Sequence, residues 1–493
     1  MPPQVQDTLF SLAPELLVCL TALTVLLWDL FSTESRRTIV RLCTLGLILA
    51  GAAVLMVWSR IPLELHPYAA RAMVFDELAM LFKFLTIVLT LLTVWLSEGS
   101  FAEESRHPGE YYSMLLFVAL GCLVAVSAVE FLTFFVAFEL LSLPLYMLAA
   151  FRRWRPDSAE AGFKYFLNGA LSSALMLYGI SWIYGALGTT VFSEFNARLP
   201  HSELPYGLLV GFLLVMSALA FKISAAPFHM WAPDVYEGAP TPVVAYLSSV
   251  PKAAMVAVLL RIFWVNLDLS ETPLAFGTDW FMLFSLMAVL SMTLGNLVAL
   301  PQTNVKRLMA YSGIAHMGYT LLGLAVCTQA GAGALGAAAA IYYTVIYTVA
   351  NLGAWGVIIV YSRDVRSETV SSLGGMASRN PFLALVLMVS FLSLAGAPPL
   401  AGFVGKLYLF RAVYQAGLMW LVLYAILNSV ISLYYYFRVL RSAYFAEPRS
   451  EEPVQVPLLA NASLVICLLG TVLLGIWPGL ARMCLEIAKQ LLG

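Results

Sequence analysis

Long apolar runs separated by short polar connections repeat along the whole of this 493-residue chain. Inside hydrocarbon every backbone N–H and C=O must be bonded within its own segment, so runs of this kind predict spanning helices. On that criterion about fourteen are expected. They lie near 9–31, 37–58, 75–97, 111–127, 129–150, 162–187 and 206–226, and then near 241–264, 278–299, 306–327, 332–361, 382–416, 417–440 and 456–477. The fold class is an all-α polytopic membrane protein.

Two of these runs are interrupted. The twelfth has 35 residues, which would make a straight helix of about 52 Å against a hydrocarbon core of about 30 Å. Its tract GAPPLAG, Gly396 to Gly402, supplies adjacent prolines that remove backbone donors and break the helix near its middle. The seventh run meets a similar break at Ala225, Ala226 and Pro227. Interrupted helices persist at membrane depth only where they are packed in protein or line a wet cavity, and paired interruptions point to an ion pathway. The breaks lie five helices apart, which suggests that helices 4–8 are duplicated as helices 9–13. A five-span unit copied in tandem must be inverted. The expected organisation is residues 1–110 with helices 1–3, 111–264 as the first repeat, 278–440 as the second, and 456–493 as helix 14 with a tail.

Composition narrows the classes of function. The chain is 61% hydrophobic and 11% charged, with a formal net charge of -1, so it offers no basic surface for nucleic acid. Its connections are too short to fold into an aqueous domain, and soluble chemistry is expected on partners. The six cysteines stand singly in apolar segments without metal-ligand spacing and read as small core residues. Asp7 and Glu15 precede or enter the first run where a cleaved signal would carry basic residues, so helix 1 is expected to remain. Lysine and arginine favour cytoplasmic connections. The connections after odd-numbered helices hold fifteen of them, Arg106 and Arg449 included, against seven in the even connections and the tail. Both termini are therefore expected outside.

The seven lysines are distributed differently from the twenty arginines: arginines mark connections, while most lysines fall within apolar runs. Arginine stays charged in a protein, whereas a buried lysine can exchange a proton. Inserting Lys222 or Lys252 near a helix centre costs about 2.5–3.5 kcal/mol, and such residues are functional by default. Snorkelling to the interface is the plain alternative, and Lys252 resists it best, being far from either end of helix 8. Glu139 sits mid-helix in FFVAFELLSLPLYML, with Pro144 to bend the chain. A carboxylate about 4 Å from a lysine stabilises the charged amine by about 4 kcal/mol at an effective dielectric of about 20. Glu139 approaching or leaving Lys222 would thus switch the lysine between holding and releasing a proton, with Lys252 and Lys406 as relay stations. Lys164 follows Glu160 by four residues, where an ordinary helix-surface pair is the simpler reading. His229 and His316 suit proton shuttling but equally suit hydrogen-bonded core positions. Lys83, with Asp76 and Glu77 about two turns earlier, reads as an inlet group or a pair at a subunit contact. Lys306 and Arg307 read as cytoplasmic anchors. No phosphate-cradling loop, nucleophile with a base, or metal-ligand cluster stands out.

Three blocks, FKISAAPFHMWAPDVYEGAPTPV, NVKRLMAYSGIAHMGY and SLAGAPPLAGFVGKLYLF, resemble the antiporter-like subunits of respiratory complex I, the proton-pumping NADH-quinone oxidoreductase. With the fourteen-run pattern, the similarity covers essentially the whole chain. Within the family it is most similar to the subunit N branch, because helix 12 carries Lys406 where subunit M has a glutamate and no long lateral helix follows helix 14. The resemblance implies an inverted five-helix repeat and half-channels meeting at a hydrophilic axis. It implies proton transfer by Glu139, Lys222, Lys252 and Lys406, and it moves Lys164 toward a functional role. It also implies no cofactor on this chain, with FMN, iron-sulfur clusters and quinone on partner subunits. The implied surroundings are a bacterial inner membrane, lipid, and neighbouring M-type and K-type membrane subunits. Related cation/proton antiporter or membrane-bound hydrogenase complexes share the fold and remain alternatives, as does a structural scaffold that carries no protons.

Overall fold

A computed structural model describes residues 3–31, 36–62, 67–100, 108–199, 202, 204–265, 276–327, 329, 331–448 and 450–492. Arg106 and Arg449, two of the orientation signals, lie outside the described residues. The protein is all-helical, and among the described residues twelve helices are long and apolar enough to cross a membrane. Two further predicted runs are helical without meeting that measure. The tenth is Val305–Cys327, and the twelfth is divided into Pro381–Ala395 and Ala401–Gln415. An unanticipated helix, Gly479–Leu492, buries Leu480, Cys484, Ile487 and Ala488 and packs on Gly333–Val365.

Burial is graded from rim to centre. Leu20, Leu27, Leu171 and Leu473 stand exposed on outer helices, as side chains facing lipid should. By contrast, Gly333–Val365 is buried across 94% of its most apolar window and Thr241–Trp264 across all of it. Connections after the third, fifth, seventh, ninth, eleventh and thirteenth spans gather at one end. There Arg152, Arg155, Lys306, Arg307, Arg363 and Arg366 line a single polar cavity of ≈ 930 Å³.

The two interruptions have the same backbone form. Pro205–Ile223 ends on Ser224 at φ 60°, and Pro381–Ala395 ends on Gly396 at φ 89°. In each, the next residue donates its N–H to the carbonyl five positions back: Ala225 to Ala220 at 2.9 Å and Ala397 to Leu392 at 2.8 Å. This left-handed cap satisfies carbonyls that the lost helical turn would leave open. A serine also reaches each break, since the Ala226 N–H donates to Ser291 Oγ at 2.9 Å and the Gly402 N–H to Ser393 Oγ at 3.0 Å. Gly396 is doubly constrained, because a Cβ there would lie 3.0 Å from Lys406 Cδ.

The run expected as one helix over 241–264 holds a third interruption. It forms Thr241–Leu247, a turn at Ser248 and Ser249, Val250–Leu260, and a wide turn over Arg261–Val265. Pro251, which has no N–H to donate, sits in the first turn of the second piece, where that loss is harmless. Asn351 Nδ2 bridges the gap, donating to Ser248 Oγ at 2.9 Å and Ser249 Oγ at 3.0 Å.

Candidate functional site

The interruptions bring three lysines into the protein interior, with Lys222, Lys252 and Lys406 exposed by only 2%, 1% and 4%. Lys222 occupies the last turn of Pro205–Ile223. Its Nζ donates to Ser142 Oγ at 2.8 Å and to Tyr165 OH at 3.4 Å. The rings of Phe138, Tyr146 and Tyr165 lie 5.3–5.5 Å from the amine, within cation–π reach. Glu139 is half-buried one turn before Ser142, and its Oε1 is buried without a hydrogen bond. The two residues make no direct ion pair, so the expected Glu139–Lys222 contact is open and Ser142 holds the amine instead.

Lys252 lies in the first turn of Val250–Leu260, just beyond the Ser248–Ser249 turn. Its Nζ is buried with no hydrogen-bond partner, as are Tyr236 OH and Tyr347 OH beside it. The Tyr236 ring is 5.8 Å from the amine. A Cβ on Gly313 would come within 3.3 Å of Lys252 Nζ and 3.2 Å of Tyr347 OH, so the missing side chain leaves the two facing one another. Lys406, after the second break, donates to the carbonyls of Leu394 and Ala395 at 3.2 and 3.0 Å. A cation belongs at that helix end, where the peptide dipoles present partial negative charge.

Aromatic residues join these amines. Tyr165 stacks on Trp231 at 4.5 Å, and Trp231 meets Tyr236 edge-on at 6.2 Å, linking the Lys222 and Lys252 sites. On the other side, the His316 ring stacks on Tyr347 at 4.9 Å and lies 6.0 Å from Tyr319, whose ring is 4.8 Å from Lys406 Nζ. Both His316 nitrogens are engaged, Nδ1 with Tyr343 OH at 2.6 Å and Nε2 with Tyr436 OH at 3.1 Å. His316 is thus a hydrogen-bonded core histidine that also sits between two of the lysines. His229 is half-buried in the turn between Ile223 and Trp231, and no hydrogen bond joins it to the lysines.

Lys164 belongs to a charged network at the polar end of the bundle. It pairs with Glu160 at 2.8 Å, as its spacing suggests, and also with Asp234 at 3.0 Å. Arg307 holds the same Asp234 at 2.8 Å and Glu237 at 2.8 Å. Partial burial would raise the Asp234 carboxyl, but hydrogen bonds from Lys164 and Arg307 outweigh it and hold the group below the usual value. Lys306, read from the sequence as a cytoplasmic anchor, lines the same polar cavity. It is buried and ties the Ala239 carbonyl at 2.9 Å to Glu368 at 2.9 Å. Lys83 has its partner within the chain, pairing with Glu15 at 2.5 Å, while Asp76 caps its helix and pairs with Arg261 at 2.9 Å.

Sequence reasoning found the lysines and both proline-marked breaks but missed Ser142, Tyr165, Trp231, Tyr236, Tyr347 and the Ser248–Ser249 turn. Only the last had a local signal, the tract SSVP. The contacts Tyr165–Trp231 and His316–Tyr347 arise between helices distant in sequence and leave no periodic trace.

Residues 128–432 match the family described as NADH:quinone oxidoreductase/Mrp antiporter, TM. The chain is 40% identical over 464 residues to NADH-quinone oxidoreductase subunit N of Desulforamulus reducens, covering 94% of each. It is also similar to a chain of respiratory complex I from Thermus thermophilus, with TM-score 0.77 and 33% identity over 94% of this chain and 97% of that one. A chain of the Mrp complex from Dietzia shares the fold, with TM-score 0.84 and 22% identity over 98% of both chains. Matching across nearly its full length, the chain belongs to the NADH-quinone oxidoreductase subunit N family, the antiporter-like membrane subunits of respiratory complex I.

Proposed function

We propose that this chain translocates protons across the membrane along the line Glu139, Lys222, Lys252 and Lys406. The observation that carries this reading is the one buried seam running through three lysine amines, with Lys252 at its middle lacking any hydrogen-bond partner. A buried amine without a fixed counter-charge is costly to keep for structure alone. Closing of Glu139 on Lys222 would favour the charged amine, and its withdrawal would release the proton toward Lys252. His316 and its tyrosines are placed to pass it on to Lys406. Lys164 would act at the polar end of the bundle, and His229 has the weakest support of the candidates.

In this reading, electrons pass from NADH through FMN and iron-sulfur clusters to quinone on partner subunits, and this chain holds no redox site. Its neighbours are the M-type and K-type membrane subunits. The matching caps at Ser224 and Gly396 support an inverted duplication of helices 4–8 as 9–13. The basic residues lining one end support cytoplasmic odd-numbered connections and outward termini in a bacterial inner membrane.

The test is the Lys252→Ala variant in the assembled complex, reconstituted in vesicles. The number of protons moved per electron should fall by this subunit's share, with assembly unchanged. An unchanged ratio for both Lys252→Ala and Lys222→Ala would leave the scaffold reading standing instead. Likeness of fold to the Mrp chain keeps a cation/proton antiporter as the second reading. Sodium-dependent transport by the purified complex would favour it.

A further inference from the structure

The half-helix Trp231–Gly238, which follows the first break, is held at both ends and along its polar face. Trp231 Nε1 donates at 2.9 Å to the carbonyl of Phe221, the residue before Lys222. At the far end Gly238 rests on the start of Pro156–Leu187, where a Cβ would lie 2.8 Å from Ala161 Cβ. Between these ends Asp234 and Glu237, three residues apart, share a face that lines the polar cavity. Tyr236, two residues from Asp234 and so nearly opposite it on the helix, is fully buried with its ring beside Lys252. Asp234 is gripped from two sides. Lys164 reaches it from Pro156–Leu187 and Arg307 from Val305–Cys327, elements that lie before and after it in the chain.

We propose that Asp234 is a positioning residue, clamped by Lys164 and Arg307 so that Trp231–Gly238 keeps Tyr236 against Lys252, and that Lys164 serves there as a fixed charge instead of a proton carrier. The inference rests on the reading that Lys252 carries protons. Lys164 differs from the seam amines in its surroundings. Its side chain is 42% exposed and bound by two carboxylates, Glu160 and Asp234. Among the described residues Lys222, Lys252 and Lys406 are buried and make no ion pair of that kind. One exposed ion pair holds little, but Asp234 belongs to a network in which Arg307 also takes Glu237 at 2.8 Å, and several linked charges fix a geometry that one pair does not. In the duplication proposed above, Lys164 and Arg307 belong to different copies. The clamp then also sets one copy against the other.

Protons moved per electron by the intact complex, in vesicles carrying an internal pH dye, test the clamp. Asp234→Asn removes the charge that both cations hold; it should lose at least about half of what Lys252→Ala loses, and nothing further when combined with Lys252→Ala. Lys164→Ala should show part of the same loss, and Lys164→Arg, which keeps the charge but cannot release a proton, should restore it. A smaller loss in Asp234→Asn, an added loss in the combined variant, wild-type translocation in Lys164→Ala, or a Lys164→Arg variant as defective as Lys164→Ala each overturns the clamp. With Lys252→Ala still defective, the proposed function stays in place. Wild-type translocation in Lys252→Ala overturns both. Should Lys164→Arg fail to assemble, Lys164→Cys labelled with a trimethylammonium-ethyl thiosulfonate supplies the same fixed charge and carries the test.

Discussion

Glu15 and Lys83 join the first spanning helix to the third through an ion pair whose side chains are 6% and 0% exposed. The Phe75 ring closes over the amine at 4.2 Å. Desolvating two charges offsets most of their attraction, so such a pair adds little net stability, whereas removing one partner strands the other. Lys83→Met alone is expected to destabilise the subunit by about 3–5 kcal/mol, while Glu15→Leu with Lys83→Met should recover most of that loss. Thermal melting of the purified complex checks both, and an equally unstable double variant would contradict the pairing. Residues of this kind show how far a sequence speaks. Lysines inside apolar runs announce themselves, because their cost in hydrocarbon demands a reason. Their partners do not: Lys83 reads from the sequence as an inlet group or a pair at a subunit contact, and the structure pairs it with Glu15, 68 positions away, while Asp76 pairs with Arg261.

Among the elements, the divided helix Thr241–Leu247 and Val250–Leu260 has the greatest effect on the site. Its gap is narrow enough that the whole run still reads as one apolar span, which is why periodicity missed it, while adjacent prolines made Pro381–Ala395 and Ala401–Gln415 legible as two. The gap depends on a side chain from another helix, since Asn351 donates to both Ser248 and Ser249. Asn351→Leu leaves two buried hydroxyls without that donor and is expected to cost about 1–3 kcal/mol. Lys252, in the turn just past the gap, should shift with it, so proton translocation should fall along with the melting temperature. A variant that melts early yet translocates at the normal rate would show that the gap serves stability alone.

Across the whole molecule, the gradient from exposed rim to buried centre predicts where change is tolerated. Ala354 on the central helix Gly333–Val365 is fully buried, whereas Leu171 on an outer helix is 61% exposed. Ala354→Leu overpacks a filled interior at about 1–3 kcal/mol and should abolish assembly, while Leu171→Ala should leave the yield of complex unchanged. Membrane-extracted complex yield compares them directly. The all-helical membrane fold was legible because hydrocarbon permits so few backbone solutions. The arrangement of helices around the centre was not, since lipid and neighbouring helices are equally apolar.

The burial of Gly333–Val365 also bears on how the protein is made. Several elements that enclose it, Pro381–Ala395, Ala401–Gln415, Leu458–Ile476 and Gly479–Leu492, come later in the chain. During synthesis this helix therefore enters the bilayer before most of its seat exists and waits there with its inward faces against lipid. Its apolarity, a mean hydropathy of 1.6 over the best window, lets it survive that interval. The interior that holds the buried lysines is completed only after the last of those enclosing helices has been threaded into the membrane.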